Sequence, residues 1–243
     1  MENYSQIIML VIASRNKGYD KMINDYWVPM IEHIKLHNLP IRVLLLFAKN
    51  YDTNDLSLSN DNKIIVDVKE SLKHGILTKT IKSFEIVNNL YSYKHIIRTN
   101  LSSFYLLENM IKISNNLPSV NLYAGFPIWS KFLSNEFLSG ASYWLSKDNV
   151  EHILRNKNKL NYRLSDDVTV GNIMKSKKKT ILTRYQLLNQ ASGSEILNKS
   201  YHLQYLNNVI KIGEYYIRIK STTAVDRTVD TMYLKSFTDL LYK

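Results

Sequence analysis

The sequence predicts an α/β fold with a largely parallel central sheet, and two observations support this prediction. Apolar runs of strand length, long enough to be covered on both faces, occur at residues 6–14, 41–48 and 63–68, and a fourth ends at residues 95–97. Segments with apolar side chains at helical spacing separate these runs, most clearly at residues 20–37 and 76–90. Strands that alternate with helices along the chain are typical of α/β sandwiches.

The second half of the chain has a less regular pattern. Residues 103 onward return to helical spacing, residues 122–129 read as strand and turn around Gly125 and Pro127, and residues 137–154 read as a glycine-broken strand followed by a helix. A helix is predicted over residues 165–174. Late strands are predicted at residues 201–206 and 214–220, and a closing helix over residues 226–242.

Size and composition limit the class of protein. The 243 residues, 45% of them hydrophobic, suffice for one substantial core, so we expect a single domain over residues 1–243. The chain has no cysteine, which excludes disulfides and thiolate metal sites. The first 18 residues read as a strand rather than a signal peptide, and no apolar run approaches the roughly 20 residues of a membrane helix. We therefore expect a soluble, cytoplasmic protein, and the sequence sets no expectation for its oligomeric state.

The net charge of +11 favours an anionic partner, either a small molecule or a polymer. A nucleic-acid-binding protein is the less favoured interpretation, because no basic stripe with stacking aromatics and no known module is recognisable. In open α/β sheets, ligands bind outside the carboxyl ends of the strands. That rule places residues 13–16, 49–52 and 98–102 around one predicted crevice.

Two polar segments carry candidate chemistry. In SDDVTVG, Ser165 and the adjacent acids Asp166 and Asp167 either cap a helix or supply a general base that removes a proton from a substrate hydroxyl. Residues 98–102 (RTNLS) either form a satisfied strand end or contact a phosphate or ribose. Arg218 and Lys220 share one strand face, which is either a polar outer face or a pair of cations facing a diphosphate.

Four segments, in order along the chain, resemble Fringe and related β-1,3-glycosyltransferases. Residues 164–174 (LSDDVTVGNIM) resemble the segment with the catalytic aspartate, and residues 138–154 (LSGASYWLSKDNVEHIL) resemble the acceptor-side segment before it. Residues 75–80 (GILTKT) resemble a helix start beside the donor nucleotide. Residues 95–103 (HIIRTNLSS) stand where the family has a metal-binding Lys-Thr-Asp-x-Asp motif. The richness in Asn, Lys and Ile resembles a giant-virus member, which would act in the host cytoplasm.

The resemblance implies a GT-A-like, Rossmann-type α/β/α sandwich and inverting transfer of a sugar from a UDP-sugar to a hydroxyl of a glycan. Residues 1–102 would form the nucleotide-sugar-binding half, and residues 103–243 the acceptor-binding and catalytic half. Asp167 matches the catalytic base and Asp166 its acidic neighbour. Lys79 matches the nucleotide-side lysine, and Arg98 replaces the lysine before the metal motif.

The chain departs from this family at the metal motif, where Asn100 and Ser102 replace carboxylates. Neutral oxygens hold Mn²⁺ or Mg²⁺ more weakly than carboxylates do, so we expect weak metal dependence. The cations that would share or replace the metal's role are Arg98, Lys79, Arg218 and Lys220.

Together, position and resemblance define a donor site and an acceptor wall. The predicted donor-site residues are Ala13, Ser14, Arg15, Asn16, Lys79, Arg98, Thr99, Asn100, Ser102, Arg218 and Lys220. The predicted acceptor-site residues are Tyr123, Phe126, Trp129, Ser139, Gly140, Ala141 and Tyr143, although each aromatic ring alone would serve equally well in the core. Because the carboxylate motif is missing, a non-catalytic glycosyltransferase-like module that binds a nucleotide or glycan remains the alternative.

Overall fold

The computed structural model of the chain describes residues 4–14, 18–50, 52–53, 56–130, 135–183, 185–188, 199–220 and 227–242. The strands of its central sheet are β1 Tyr4–Ile12, β2 Ile41–Ala48, β3 Lys63–Val66, β4 Ser92–Asn100, β6 Tyr123–Ser130, β7 Asn135–Ser146 and β8 Thr180–Ile181. A smaller sheet contains β5 Ser103–Tyr105, β9 Tyr185–Leu188 and β10 Tyr216–Lys220.

The central sheet has the strand order β3-β2-β1-β4-β7-β6-β8. Strand β1 pairs in parallel with β2 and β4, and β2 pairs in parallel with β3. Strand β7 runs antiparallel to β4 and β6, and β8 is parallel to β6. In the smaller sheet, β10 is antiparallel to β5 and parallel to β9. The predicted α/β fold with a largely parallel central sheet is confirmed.

Helices cover both faces of the central sheet. They are α1 Tyr19–Met22, α2 Val28–Leu36, α3 His74–Leu90, α4 Leu107–Asn116, α5 Lys147–Arg155, α6 Asp166–Ile173, α7 Lys199–Lys211 and α8 Thr228–Leu241. A π-helical turn, Ile23–Trp27, joins α1 to α2, and Asn60–Asn62 and Lys157–Lys159 are 3₁₀ turns. In the described part of the chain, no helix combines the length and the apolar character needed to cross a membrane.

Alternation along β1 explains the two-sided core. Ile7, Met9 and Val11 belong to the apolar cluster that contains buried residues of α2, α4, α7 and α8. Ile8 and Leu10 belong to the other cluster, with buried residues of α3, α5 and α6. Because successive strand side chains point to opposite faces, a continuous apolar run requires a cover on each face. The chain therefore folds as the expected α/β/α sandwich.

Three local predictions were wrong. Residues 201–206 lie in α7, because His202, Leu206 and Val209 are buried at helical spacing although the local pattern alternates. The chain forms β5 at Ser103–Tyr105 before the helix that we predicted from residue 103. The predicted breaks near residues 125 and 140 fall within continuous strands, although the register between β6 and β7 shifts between Gly125 and Pro127.

Candidate functional site

The carboxyl ends of β1, β2 and β4 lie at one edge of the sheet. Ile12 is in register with Leu46 on one side and with Asn100 on the other. A cleft of about 420 Å³ opens between this edge, the middle of β7 and the start of α6. The residues that line the cleft are Leu72, Ile76, Arg98, Asn100, Ile128, Ser139, Gly140, Ala141, Ser165, Asp166, Asp167 and Arg218.

Asp167 is a half-buried carboxylate on the wall of this cleft. Its Oδ2 accepts a hydrogen bond from the backbone N–H of Gly140 at 2.9 Å, and its Oδ1 accepts one from the N–H of Val168 at 2.9 Å. Each oxygen keeps a further lone pair, since a carboxylate oxygen can accept two hydrogen bonds. Asp167 is therefore oriented by backbone donors and can still accept a proton from a ligand.

Asp166 has a different environment from its neighbour. The side chain is buried, and its Oδ2 lies 2.8 Å from Nη2 of Arg98 and 3.1 Å from the Thr80 hydroxyl. Burial raises the pKa of the Asp166 carboxyl, and the Arg98 guanidinium opposes that rise. Ser165 is the N-cap of α6 and makes no side-chain capping bond. Asp166 is thus the counter-ion of Arg98, and its carboxylate also accepts a hydrogen bond from the backbone N–H of Asp167.

Gly140 allows Arg98 and Asp167 to approach the same point of β7. Nη1 of Arg98 donates to the Gly140 carbonyl, while the Gly140 N–H donates to Asp167. A Cβ atom at this position would lie 2.9 Å from Oδ2 of Asp167 and 3.0 Å from Nη1 of Arg98. Next to it, the buried Ala141 carbonyl accepts from the Thr99 hydroxyl at 2.8 Å. Thr99 therefore ties β4 to β7.

Lys79 lies behind the cleft and is fully buried. Its ammonium group donates to the Ala13 carbonyl at 2.6 Å and lies 3.0 and 2.8 Å from the two carboxylate oxygens of Glu70. An ammonium has three N–H donors, so these three acceptors use all of them. Burial lowers the pKa of Lys79, and Glu70 opposes this effect. Lys79 is placed to hold the end of β1, and direct contact with a nucleotide stays a prediction.

Asn100 and Ser102 face a guanidinium group. Nη1 of Arg218 donates to Oδ1 of Asn100, to Oγ of Ser102 and, at 3.2 Å, to the Ser102 carbonyl. A divalent cation binds best where several oxygens, carboxylates among them, converge on it. Here two neutral side-chain oxygens converge on a cation that the chain itself supplies, so these residues do not fit Mn²⁺ or Mg²⁺. Among the described residues, no cluster of three or more His, Cys, Asp or Glu could hold a metal.

The predicted acceptor residues divide between the cleft and the core. Ser139, Gly140 and Ala141 line the cleft. Tyr123 and Tyr143 are fully buried in the apolar cluster beneath α6. Phe126 is half-buried, and Trp129 is 62% exposed. Trp129 follows Ile128, a cleft residue, so strand alternation points it away from the cleft.

Some predicted donor residues can be placed only in part. Ala13 is buried and Ser14 is half-buried at the end of β1. Arg15 and Asn16 lie outside the described residues, as does the side chain of Lys220.

Sequence reasoning missed several residues at or behind the cleft. Leu72, Ile76 and Ile128 form its apolar rim, and Leu72 is 82% exposed. Glu70 and Thr80 supply partners for Lys79 and Asp166. The signal for Thr80 was the GILTKT segment itself, whereas the three apolar residues carry no polar pattern that would mark a site.

No protein-family model matches the chain, and the comparison with curated proteins gives no match. Solved structures do match it. A glycosyltransferase involved in the glycosylation of the major capsid of PBCV-1 aligns with a TM-score of 0.53 and 9% identity, over 94% of this chain and 98% of that chain. The glycosyltransferase GlyE of Streptococcus pneumoniae aligns with a TM-score of 0.51 and 10% identity, over 99% of this chain. This chain spans 65% of the GlyE chain. What the chain shares with these two glycosyltransferases is the fold.

Proposed function

We propose that the protein is an inverting glycosyltransferase that moves a sugar from a UDP-sugar to a hydroxyl group of a glycan acceptor. The observation that carries the proposal is the position of Asp167, an accessible carboxylate in the same cleft as Arg98, Asn100 and Arg218. Displacement at an anomeric carbon needs a base for the attacking hydroxyl and positive charge for the departing diphosphate. The shared fold with two glycosyltransferases supports this assignment.

In the proposed reaction, Asp167 accepts the proton of the acceptor hydroxyl. The hydroxyl oxygen forms a bond to the anomeric carbon. At the same time the bond between that carbon and the diphosphate oxygen breaks, and the electron pair of the broken bond leaves with UDP. Attack from the face opposite UDP inverts the anomeric configuration. The Gly140 N–H fixes the carboxylate, and Asp166 keeps Arg98 in place.

Residues 1–102 supply most of the proposed donor site and residues 103–243 the base and the acceptor side. Arg218 and Lys220 are the exceptions, and Arg218 reaches across to Asn100 from the second half. The residue-by-residue match of residues 164–174 to the Fringe-like segment supports the choice of Asp167 over Asp166 as the base. A giant-virus source and a cytoplasmic location stay predictions.

The test is UDP release from a panel of UDP-sugars, with and without glycan acceptors. We expect acceptor-dependent release, and we expect Asp167→Asn to lower it by about 10²–10⁴-fold with unchanged UDP binding, because a general base contributes that much. Asp67→Asn, at an exposed carboxylate, is the matched control.

Three outcomes would contradict the proposal. Turnover that survives Asp167→Asn would remove the base from the mechanism. UDP binding without release for any donor and acceptor would favour the non-catalytic module, which the neutral Asn100 and Ser102 already suggest. Salt-sensitive binding of nucleic acid, tighter than that of UDP-sugars, would favour a nucleic-acid-binding protein.

A further inference from the structure

Two of the cations near the cleft already have acidic partners. Arg98 lies 2.8 Å from Asp166 and is almost completely buried. Lys79 lies 2.8 Å from Glu70 and is buried as well. A buried ion pair has little net charge to offer a third group. Neither residue is therefore well placed to bind the negative charge of a ligand.

Arg218 is different, because its contacts within the described ranges are with neutral oxygens. Nη1 donates to the side chains of Asn100 and Ser102, and within those ranges no carboxylate forms an ion pair with it. The described hydrogen bonds all leave from this one nitrogen. Arg218 is half-buried and lines the same cleft as Asp167. Among the described residues, the charge of Arg218 has no acidic partner and its remaining N–H donors have no acceptor, so an anion in the cleft can use both.

We propose that Arg218 takes the place of a divalent cation and binds the diphosphate of the donor, so that donor binding needs no metal. The inference rests on the proposed function for the identity of the donor. Asn100 and Ser102, which stand at the positions of the family's metal ligands, here hold the guanidinium in position. A guanidinium is planar, stays protonated and matches phosphate oxygens with paired N–H donors.

The same contact supports the departure of UDP. As the bond to the anomeric carbon breaks, negative charge grows on the diphosphate oxygen that receives the electron pair. A fixed cation in a partly buried cleft stabilises that charge more than a solvated one does, because the surroundings screen it less. Asp167 and Arg218 then act on the two partners of the displacement from one cleft.

The experiment is calorimetric titration of the full chain with UDP and with uridine, in EDTA and in excess Mn²⁺. We expect the wild-type Kd for UDP to agree within about twofold between the two conditions. Arg218→Gln should weaken UDP binding by about 10- to 100-fold, the worth of charged hydrogen bonds, and leave uridine binding unchanged. The Kd of Arg218→Lys for UDP should lie between the values for the wild type and for Arg218→Gln. Arg155→Gln, at an exposed arginine of α5, is the control and should match the wild type.

Several results would overturn the inference: UDP binding that EDTA abolishes and Mn²⁺ restores, no UDP binding in either condition, or an equal loss of UDP and uridine binding in Arg218→Gln. If Arg218→Gln does not fold, the inference is tested by two other measurements. These are UDP binding to the wild type with and without Mn²⁺, and UDP binding to Arg218→Lys. Binding is measured without turnover, so metal-free UDP binding through Arg218 with no sugar transfer would uphold this inference and reject the proposed function. Sugar transfer that requires Mn²⁺ and survives Arg218→Gln would uphold the proposed function and reject this inference.

Discussion

The backbone N–H of Gly140 donates a hydrogen bond to Oδ2 of Asp167 at 2.9 Å, across 27 positions of the sequence. This bond joins the middle of β7 to the first turn of α6. Because the donor belongs to the backbone of a central strand, the carboxylate is held by a rigid element rather than by another side chain. A Cβ atom at residue 140 would lie 2.9 Å from the same carboxylate oxygen, so a side chain there would displace the carboxylate.

Gly140→Ala tests this relationship directly. The new Cβ atom would meet the Asp167 carboxylate at 2.9 Å, so the carboxylate must shift, and we expect transfer to fall by roughly 10²-fold with UDP binding retained. Gly213→Ala is the control. Gly213 has φ +78° and open space around it, so alanine there should cost about 1–2 kcal/mol of stability and leave transfer unchanged. Unaltered transfer in Gly140→Ala would show that the contact does not set the position of the base.

The buried pair of Asp166 and Arg98 should matter for stability. Asp166→Asn leaves a buried guanidinium without its counter-ion, and we expect the free energy of unfolding in urea to fall by about 3–5 kcal/mol. For comparison, Asp67→Asn breaks the exposed pair with Lys49, whose side chains are 69% and 82% exposed, and should cost about 0–1 kcal/mol. Similar losses in the two variants would mean that the buried pair has access to water.

Lys79 should act on the donor site through Ala13. Its three N–H donors are used by Ala13 and Glu70, so Lys79→Gln should weaken UDP and uridine binding by the same factor. Calorimetric titration with both ligands measures this. A larger loss for UDP would indicate direct contact with phosphate. Lys82→Gln, in the exposed pair with Glu85, is the control and should change neither.

His95 should make stability depend on pH below neutrality. Its ring nitrogens contact the Ser114 hydroxyl and the Pro118 carbonyl, each at 2.9 Å, and burial lowers its pKa from 6.5 to about 4. Between these values the unfolded chain binds a proton that the folded chain does not, so stability is lost as pH falls from 6.5 to 4. The loss reaches about 3 kcal/mol.

Urea unfolding at several pH values, for the wild type and His95→Gln, measures this effect. The variant should show a flatter profile in that window, and His74→Gln, at an exposed histidine, should keep the wild-type profile. Identical slopes in His95→Gln and the wild type would assign the pH dependence to other groups.

The acceptor side can be mapped with two adjacent residues of β6. Ile128 lines the cleft, whereas Trp129 is exposed and points away from it. Ile128→Ala should raise the acceptor KM by about tenfold, the worth of a few buried methylene groups, and Trp129→Ala should change it by less than about twofold. Steady-state kinetics with saturating donor gives both values. The opposite ranking would move the acceptor to the other face of β6.

The sequence predicts those elements of the fold whose pattern of apolar residues is contained within the element itself. Residues 41–48 were predicted as a strand and form β2, because an unbroken apolar run of that length fits a strand covered on both faces. Residues 201–206 were assigned incorrectly, because Tyr201, Leu203 and Tyr205 imitate strand alternation. The burial of His202 and Leu206, which decides for a helix, depends on what packs against them.

In the candidate site, too, local patterns predict some residues, whereas the contacts between them depend on the packing of distant segments. Spacing marked Asp166 and Asp167 as candidates and placed Arg218 on a strand face, but no local pattern reveals that Arg98 neutralises the first acid or that Asn100 meets Arg218. Those contacts arise from the order of strands in the two sheets. The sequence also did not reveal that Lys79 is buried behind β1, because this burial follows from the packing of α3.

The distance in sequence between Asn100 and Arg218, 118 positions, has a consequence during synthesis. A nascent chain carries the oxygens of residues 100 and 102 long before the arginine that joins them leaves the ribosome. Strand β10 pairs with both β5 and β9, so its docking joins the strands of the small sheet and brings Arg218 to Asn100 and Ser102 in one event. If Arg218 binds the donor diphosphate as proposed, the growing polypeptide gains that binding only when β10 docks.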